Sequence, residues 1–517
     1  MYGNLDPTQN GNVLLLLATR LLVYYIVSLC VAVVSSSPQI ELYKSTVVGR
    51  DITELNVDFL GGIPYAKPPL GPLRLPPPVV KPYLDAGVFN ASSFGLTHGG
   101  GYQTGSASSF NGSALVFQSV QRDQLAALEW VQHNIGAFGG DKDKARLSVI
   151  IVTLFGESAG FMTAVLFLNP SVSKVARAAI FESGSASSTL TFGAQHREDS
   201  WTNFVEGVPS CSSLVGTSLT VDCLQSTNSS DVLQGLLQAM AETDEQLPFD
   251  PTLDGTDGNF PDLPSRLLSR RQFARLPFIA GTNLDEGTLF CPTELNYTNE
   301  LLLENLNANF SPPAVPPNVL GDFLTLYPDD PAAGSPFNTG NDTFGLSPLN
   351  KKCAALRGHL MFDSQRRLWI QTTSEAGVKA FGYRFTQPLS TTPTYLGGSV
   401  NETATAKSLS VMMMDYWVSF ATSLNPNDGL GSERPLWPQY MPNQQVLLQL
   451  NGDNLTIIPD DYNKEKIDFI ISEVEALLTH SDRWTRRAMG YERVYSAVLG
   501  IIEIPGKIQF ATNTCFR

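Results

Sequence analysis

The chain has 517 residues, of which 43% are hydrophobic and 16% are charged, as expected for a globular protein with a large core. Its 34 basic and 49 acidic residues give a net charge of −15. A surface this acidic argues against nucleic acid as a partner. No basic run or internal repeat stands out in the sequence. Composition therefore indicates a globular protein and leaves its activity open.

The N-terminus, residues 1–36, is predicted to be a signal peptide. An apolar stretch runs from Val13 to Val34, interrupted by Arg20, and small residues follow at Ser35 to Ser37. A membrane-anchoring segment is the alternative, because the stretch is long enough to cross a bilayer. Secretion is the preferred prediction, and a high density of Asn-x-Ser/Thr acceptors supports it. These acceptors are Asn90, Asn111, Asn228, Asn296, Asn309, Asn341, Asn401 and Asn454.

Alternating helices and strands follow along the chain. Residues 123–135 have apolar side chains at helical spacing, and Leu147 to Phe155 is an apolar, β-branched run typical of a buried strand. Ala178 to Gly184 and Leu276 to Thr282 have the character of further parallel strands, and residues 461–480 form an amphipathic helix. This order predicts a mostly parallel sheet with helices on both faces. Chemistry in such sheets gathers at the carboxyl ends of the strands.

Two motifs in this framework predict nucleophilic catalysis. The first strand leads into Gly156-Glu157-Ser158-Ala159-Gly160, a Gly-x-Ser-x-Gly turn that lifts a serine hydroxyl above the sheet edge. Upstream, consecutive glycines after His98 allow backbone N–H groups to converge on one point. We expect Gly100, Gly101 and the N–H of Ala159 to form an oxyanion hole. A glycine-rich surface turn would be the alternative if the loop stood alone.

A third group follows the strand that ends near Thr282. The turn Asp285-Glu286-Gly287 carries a carboxylate that could orient a histidine in a serine–histidine–acid triad. A solvated acidic turn explains the local sequence equally well.

Together these motifs resemble the type-B carboxylesterase and lipase family, the cholinesterase-like branch of the α/β-hydrolase fold, and most closely its secreted fungal members. The resemblance covers about residues 40–475 and includes Gly61 to Ala66, Phe181 to Ser185 and Trp437-Pro438. It implies an α/β class with a hydrolase domain at 37–480, followed by an atypical tail at 481–517. It also implies that Ser158 is the nucleophile and Glu286 the triad acid. Small-molecule or lipid esters would be cleaved without metal or organic cofactor, with transient contact with a lipid interface left open.

The chain departs from this family where the triad histidine should lie. The family places it in a loop after a Tyr-Leu-Gly-like turn, but here Tyr395-Leu396-Gly397 continues to Thr403 without a histidine. We expect neither His359, on a helix before that loop, nor His480, beyond the closing helix, to replace it. The other histidines are His98 in the glycine loop, His133 on a solvated helix face and His196 in a polar stretch.

The sequence also lacks the pattern of two central strands of the family. Ala91 to Thr97 makes a poor buried strand before the glycine loop, and Val120 to Arg122 joins directly to the helix at Asp123. Clean losses of this kind suggest altered exon joining. The leading hypothesis is a secreted serine ester hydrolase of doubtful activity. A non-catalytic hydrolase-fold binding protein and a defective isoform remain the alternatives.

Cysteine use fits an oxidising compartment. Cys211 and Cys223 are close enough to be predicted as a pair, and Cys30 lies in the leader. Three cysteines remain, so one of them is predicted to be a free thiol or to lack its partner in this chain: Cys291, Cys353 and Cys515. None of the spacings is that of a zinc site.

Overall fold

The structure, a computed structural model, describes residues 37–52, 57–60, 62–91, 126–131, 133–138, 153–158, 167–186, 188, 192–243, 249, 251–253, 255, 258, 260–293, 296–310, 317–387, 403–452 and 454–473. These residues divide into two compact units. The first contains the described parts of 37–63 and 84–91, and the second contains residues 64–83 and the remainder of the described chain.

The first unit contains β1 to β5, and strands and helices alternate through the second unit as the sequence predicts. The strands are β1 (Gln39–Leu42), β2 (Ser45–Val48), β3 (Arg50–Ile52), β4 (Val57–Phe59), β5 (Gly87–Asn90), β6 (Thr153–Glu157), β7 (Ala178–Glu182), β8 (Phe192–Gly193), β9 (Thr252–Leu253), β10 (Phe278–Asn283), β11 (Ala380–Phe385), β12 (Val446–Leu450) and β13 (Thr456–Pro459). The helices are α1 (Glu198–Glu206), α2 (Thr220–Ser226), α3 (Ser229–Glu242), α4 (Pro264–Ser269), α5 (Asn299–Phe310), α6 (Pro317–Thr325), α7 (Pro348–Gly358), α8 (Ser364–Glu375), α9 (Ala404–Ser423) and α10 (Lys464–Ser472).

The first unit is a small sheet with an adjacent hairpin. Its three strands follow the order β1-β2-β5, with β1 antiparallel and β5 parallel to β2. The hairpin pairs β3 with β4. Val47, on the middle strand, is fully buried, which is consistent with its two-sided pairing.

The second unit is organised around a six-stranded sheet with the order β13-β12-β11-β10-β7-β6. Strands β6, β7, β10, β11 and β12 run parallel, and β13 is antiparallel at one edge. Every residue of β7 and β11 is buried, as is typical of strands covered on both faces. This sheet confirms the predicted mostly parallel class. Two of the predicted strands are its β7 and β10, and β6 contains the end of the predicted strand at 147–155, whose residues 147–152 lie outside the described chain.

Helices cover both faces of this sheet. On one face, Phe181 of β7 packs with Phe278 of β10 and with Trp369 of α8. On the other face, Ile180 and Phe381 pack with residues of α9, including Phe420. Burial of a large aromatic side chain contributes about 2–3 kcal/mol, so these two layers account for much of the stability of the sheet.

Other predicted elements are confirmed in part. Residues 126–131 are helical, within the predicted 123–135. The closing helix is α10, Lys464–Ser472, shorter than the predicted 461–480, whose last residues lie outside the described chain. The segments where strands are predicted to be missing, 92–97 and 120–123, also lie outside it. No helix of the described residues is both long and apolar enough to cross a membrane.

Two disulfides join neighbouring segments of the second unit. The predicted pair Cys211–Cys223 is confirmed, with an S–S distance of 2.01 Å. A second bond joins Cys291 to Cys353, across 62 residues. Of the predicted odd set, Cys291 and Cys353 are thus paired, and Cys515 lies outside the described residues.

Candidate active site

Ser158 follows β6 directly and adopts a left-handed backbone. Its φ is +53°, a conformation that costs of order 1–3 kcal/mol in a residue with a Cβ. Gly156, two residues earlier, is buried, and Ser158 itself is partly exposed. A strained serine at the carboxyl end of a parallel strand is the geometry expected of a nucleophile elbow. The sequence prediction for the backbone at Ser158 therefore agrees with the structure.

The next strand ends in the same way. Glu182 is the register partner of Glu157, and Ser183 after it has a φ of +52°. The two strands therefore each end in a Glu-Ser turn, and the two turns lie side by side at the carboxyl ends of the strands. Ser183 also accepts a hydrogen bond of 2.9 Å from the side chain of Asn283, the last residue of β10.

Glu286 reaches the same edge from the turn after β10. Its Oε1 accepts a hydrogen bond of 2.6 Å from the Asn283 backbone, and its Oε2 lies 3.3 Å from the Asn283 amide nitrogen. Asp285 has a different role, since its Oδ1 accepts hydrogen bonds from Ser335 Oγ at 2.7 Å and from the Phe337 backbone at 2.8 Å. Asp285 therefore anchors the turn, and Glu286 is the carboxylate presented at the strand ends.

Glycine is required immediately after Glu286. A Cβ on Gly287 would lie 1.9 Å from the backbone oxygen of Ala354 and 2.5 Å from the backbone nitrogen of Gly358, both in α7. A Cβ on Gly358 would in turn lie 3.7 Å from the Cβ of Glu286. This close packing against α7 holds the turn, and with it Glu286, in place.

The environment of Glu286 favours its protonated form. Burial raises its pKa to about 7, although hydrogen bonds from Asn283 and Ser183 act in the opposite direction, and Asp363 raises it further. Among the described residues, no lysine or arginine forms an ion pair with Glu286. A cationic imidazole beside this carboxyl would lower its pKa towards the ordinary value.

Sheet order fixes the separation between Ser158 and Glu286. One strand, β7, lies between β6 and β10. Neighbouring strands are about 4.8 Å apart, so the two turns begin about 10 Å apart. A serine and a carboxylate bridged by an imidazole need two hydrogen bonds of about 3 Å and the width of the ring. The space is therefore of the size that a triad histidine would fill.

His359 is not placed to fill that space. It lies in the π-helical turn His359–Asp363 between α7 and α8 and is fully buried. Its Nδ1 is 3.0 Å from Tyr327 Oη and its Nε2 is 2.9 Å from Asn463 Nδ2, so both ring nitrogens have partners. Burial lowers its pKa to about 4. His359 is therefore a neutral histidine of the core, as expected from its position before the family loop.

The other candidate residues divide by whether the structure describes them. His133 is exposed, and its Nδ1 is 3.0 Å from a backbone oxygen of its own helix, while His196 is partly exposed. The predicted oxyanion-hole residues and two histidines lie outside the described chain: Gly100, Gly101, Ala159, His98 and His480. No group of three or more potential metal ligands occurs among the described residues.

Sequence reasoning did not assign roles to several residues at this edge. Glu157 and Glu182 are adjacent carboxyls, and Trp417 of α9 donates a hydrogen bond of 2.8 Å to Glu182 Oε1. Asn283 connects Ser183 with Glu286. The repeated Glu-Ser pair at the ends of two predicted strands was the signal for this arrangement, because parallel strands place equivalent residues side by side.

Comparison with known proteins gives consistent matches. The model of the carboxylesterase family matches residues 121–470. A secreted lipase of Botryotinia fuckeliana is 30% identical over 68% of this chain and 62% of its own length. Carboxylesterase 1E of Mus musculus is 26% identical over 78% of this chain and 89% of its own length. The chain thus spans less than two thirds of the Botryotinia lipase.

A solved structure supports the fold. The crystal structure of Aspergillus niger EstA superposes with a TM-score of 0.68 at 18% identity, covering 86% of this chain and 99% of EstA. With the parallel sheet and the helices on both of its faces, this match establishes the α/β-hydrolase fold. The chain therefore belongs to the carboxylesterase family.

Proposed function

We propose that this chain is a serine carboxylic ester hydrolase, with Ser158 as nucleophile and Glu286 as the acid of the triad. The left-handed backbone of Ser158 at the end of β6 is the observation that carries the proposal. Such strain persists where the surrounding structure and a function maintain it. Small-molecule or lipid esters are the proposed substrates, since the similar proteins include lipases and carboxylesterases.

The proposed reaction proceeds through an acyl-enzyme. Ser158 Oγ loses its proton and bonds to the ester carbonyl carbon, and the C–O bond to the alcohol breaks as the leaving oxygen takes up that proton. Water then attacks the acyl carbon, the bond to Ser158 Oγ breaks, and a proton from the water restores the serine hydroxyl as the carboxylic acid leaves. The backbone N–H groups of Gly100, Gly101 and Ala159 are the proposed donors to the oxyanion. Neither step requires a metal or organic cofactor.

The base is the weak part of this site. His359 is occupied on both ring nitrogens, and the family loop around Gly397 contains no histidine. Without an adjacent general base the serine hydroxyl is a weak nucleophile, because the base activates it by taking its proton. We therefore propose slow turnover for this chain, well below that of a complete triad.

Hydrolysis of p-nitrophenyl butyrate by the full chain tests the proposal. Wild type is expected to turn over slowly, and Ser158→Ala is expected to fall to the buffer rate. Ser212→Ala is the control, because it removes an exposed serine hydroxyl from the segment between Cys211 and Cys223. Equal rates for wild type and Ser158→Ala would refute the role of Ser158.

A non-catalytic binding protein of the same fold is the second proposal. The observation that favours it is the raised pKa of Glu286, a carboxyl without a cationic partner among the described residues. A folded chain that melts cooperatively and neither turns over the ester nor reacts with a fluorophosphonate would support this alternative.

Secretion and glycosylation belong to the same proposal. The acceptor asparagines whose side chains the structure describes are all exposed: Asn90, Asn228, Asn296, Asn341 and Asn454. Exposure is what an oligosaccharide requires. A mobility shift of the secreted protein after treatment with an N-glycosidase tests this point, and unchanged mobility would contradict it.

A further inference from the structure

Two carboxyl groups meet directly beneath the elbow. Glu157 and Glu182 are register partners on the adjacent parallel strands β6 and β7. Register partners point to the same face of a sheet and lie about 5 Å apart. That face is the one covered by α9, because Phe155 of β6 and Ile180 of β7 both pack in the cluster formed with this helix.

Few neighbouring groups stabilise negative charge on this pair of carboxyls. Glu182 is 4% exposed, and its Oε2 has no hydrogen-bond partner among the described residues, while its Oε1 accepts from Trp417. The next position in the same row is Gly281 of β10, and the ring of Tyr383 from β11 lies over it. No described lysine or arginine forms an ion pair with either carboxyl.

Glu182 is buried and Glu157 is partly buried, so two negative charges at this separation without a cation are unfavourable. One of them retains its proton and shares it with the other, as in other carboxyl pairs. The pKa shifts of both carboxyls are in the direction that retains a proton. Burial raises the pKa of Glu157 to about 7. Burial also raises that of Glu182 to about 8, against the hydrogen bond from Trp417 and with a further contribution from Glu157.

We propose that Glu157 and Glu182 share one proton at neutral pH and act as positioning residues that join the ends of β6 and β7 beneath Ser158. This inference rests on the proposed function of Ser158 for its catalytic consequence, whereas the shared proton itself does not depend on it.

The position of the pair explains why it would matter. Glu157 immediately precedes the strained Ser158, and among the described strands β6 pairs with β7 alone. The Glu157–Glu182 pair is therefore the last rung of the ladder before the elbow. A shared proton draws the two strand ends together, whereas two negative charges would force them apart.

Two variants of Glu182 separate the effect of the shared proton from the effect of side-chain shape. Glu182→Gln supplies a permanent N–H donor to Glu157 in place of the shared proton, and Glu182→Ala removes both donor and bulk. Glu206→Gln, an exposed position at the end of α1, is the matched control. Infrared difference spectra of each full-length protein between pH 5 and 9 report the protonated carboxyl, and thermal unfolding over the same range reports its effect on stability.

The wild-type spectrum minus that of Glu182→Gln is expected to show a protonated carboxyl band at pH 6 that disappears above about pH 8. Glu286, whose pKa is raised to about 7 by burial, cancels in this difference because both proteins contain it. The melting temperature of Glu182→Gln relative to wild type should rise by about 5 °C from pH 5 to pH 8. Glu206→Gln should follow wild type throughout. Absence of this band from the difference at pH 6 would overturn the shared proton.

Reaction of Ser158 with a fluorophosphonate tests the positioning role. Labelling of wild type is expected to decline above about pH 8, that of Glu182→Gln to persist to pH 9, and that of Glu182→Ala to be slower at every pH. Equal pH profiles for wild type and Glu182→Gln would overturn positioning. If wild type and Ser158→Ala label equally, the proposed function fails, while the infrared result still decides the shared proton.

Discussion

Asp460 is the acceptor at the centre of a buried polar network, and we expect its replacement to reduce the stability of the protein strongly. It lies after β13 and is almost fully buried. Arg366 donates to it in bidentate geometry at 2.5 and 2.8 Å, Arg367 Nε at 3.1 Å and Tyr440 Oη at 2.9 Å. Burial disfavours its charge, but the two guanidinium groups outweigh this and hold the pKa of Asp460 below its usual value.

Asp460→Asn keeps the shape of the side chain and removes its charge, which leaves two buried guanidinium groups uncompensated. Breaking a buried ion pair in this way costs about 3–5 kcal/mol of unfolding free energy. Urea unfolding at pH 7 measures the loss. Since the folded-state pKa is lowered, the stabilisation by Asp460 is present above its unfolded pKa and is lost as pH falls through the folded value.

Asp468→Asn provides the comparison on a neighbouring element. Its carboxylate pairs with Lys464 on α10, where the two side chains are 47% and 67% exposed. Exposed pairs contribute about 0.2–1 kcal/mol at most. If Asp460→Asn lost no more than Asp468→Asn, the argument that this buried network stabilises the sheet would be wrong.

Three further changes have defined outcomes. Cys353→Ser opens the bond to Cys291 and should cost about 4 kcal/mol by the entropy of a 62-residue loop, measured by unfolding with and without reductant. Gly287→Ala places a methyl against Ala354 and should reduce ester turnover by the folded protein. A lower melting temperature with unchanged turnover would contradict its role at Glu286. His359→Gln should leave fluorophosphonate labelling of Ser158 intact. Wild type should lose up to about 3 kcal/mol of unfolding free energy between pH 6.5 and 4, because the pKa of the buried ring is lowered to about 4. His359→Gln should not show this loss.

Local patterns were sufficient to predict the framework of this protein. The apolar runs at β7 and β10 are continuous because both faces of those strands are covered, and this made their prediction direct. The elbow was predictable because its glycines and serine are adjacent in sequence. The disulfide Cys211–Cys223 followed from short spacing, whereas Cys291–Cys353 closes a long loop that sequence separation does not reveal.

Contacts between distant segments could not be predicted in the same way. Trp417 meets Glu182 across 235 residues, and His359 meets Asn463 across 104. These partnerships depend on how α9 and α10 dock on the sheet, which periodicity alone does not specify. The pairing of Glu157 with Glu182 depends similarly on strand register, a property of the assembled sheet.

The central proposal is that Ser158 is the nucleophile of this carboxylesterase-family chain. Mass spectrometry of the full chain after reaction with a fluorophosphonate, beside Ser158→Ala, tests it most directly. The account predicts a single adduct on the peptide containing Ser158 and none on that peptide in the variant. An unmodified Ser158 in a protein that melts cooperatively would contradict the claim.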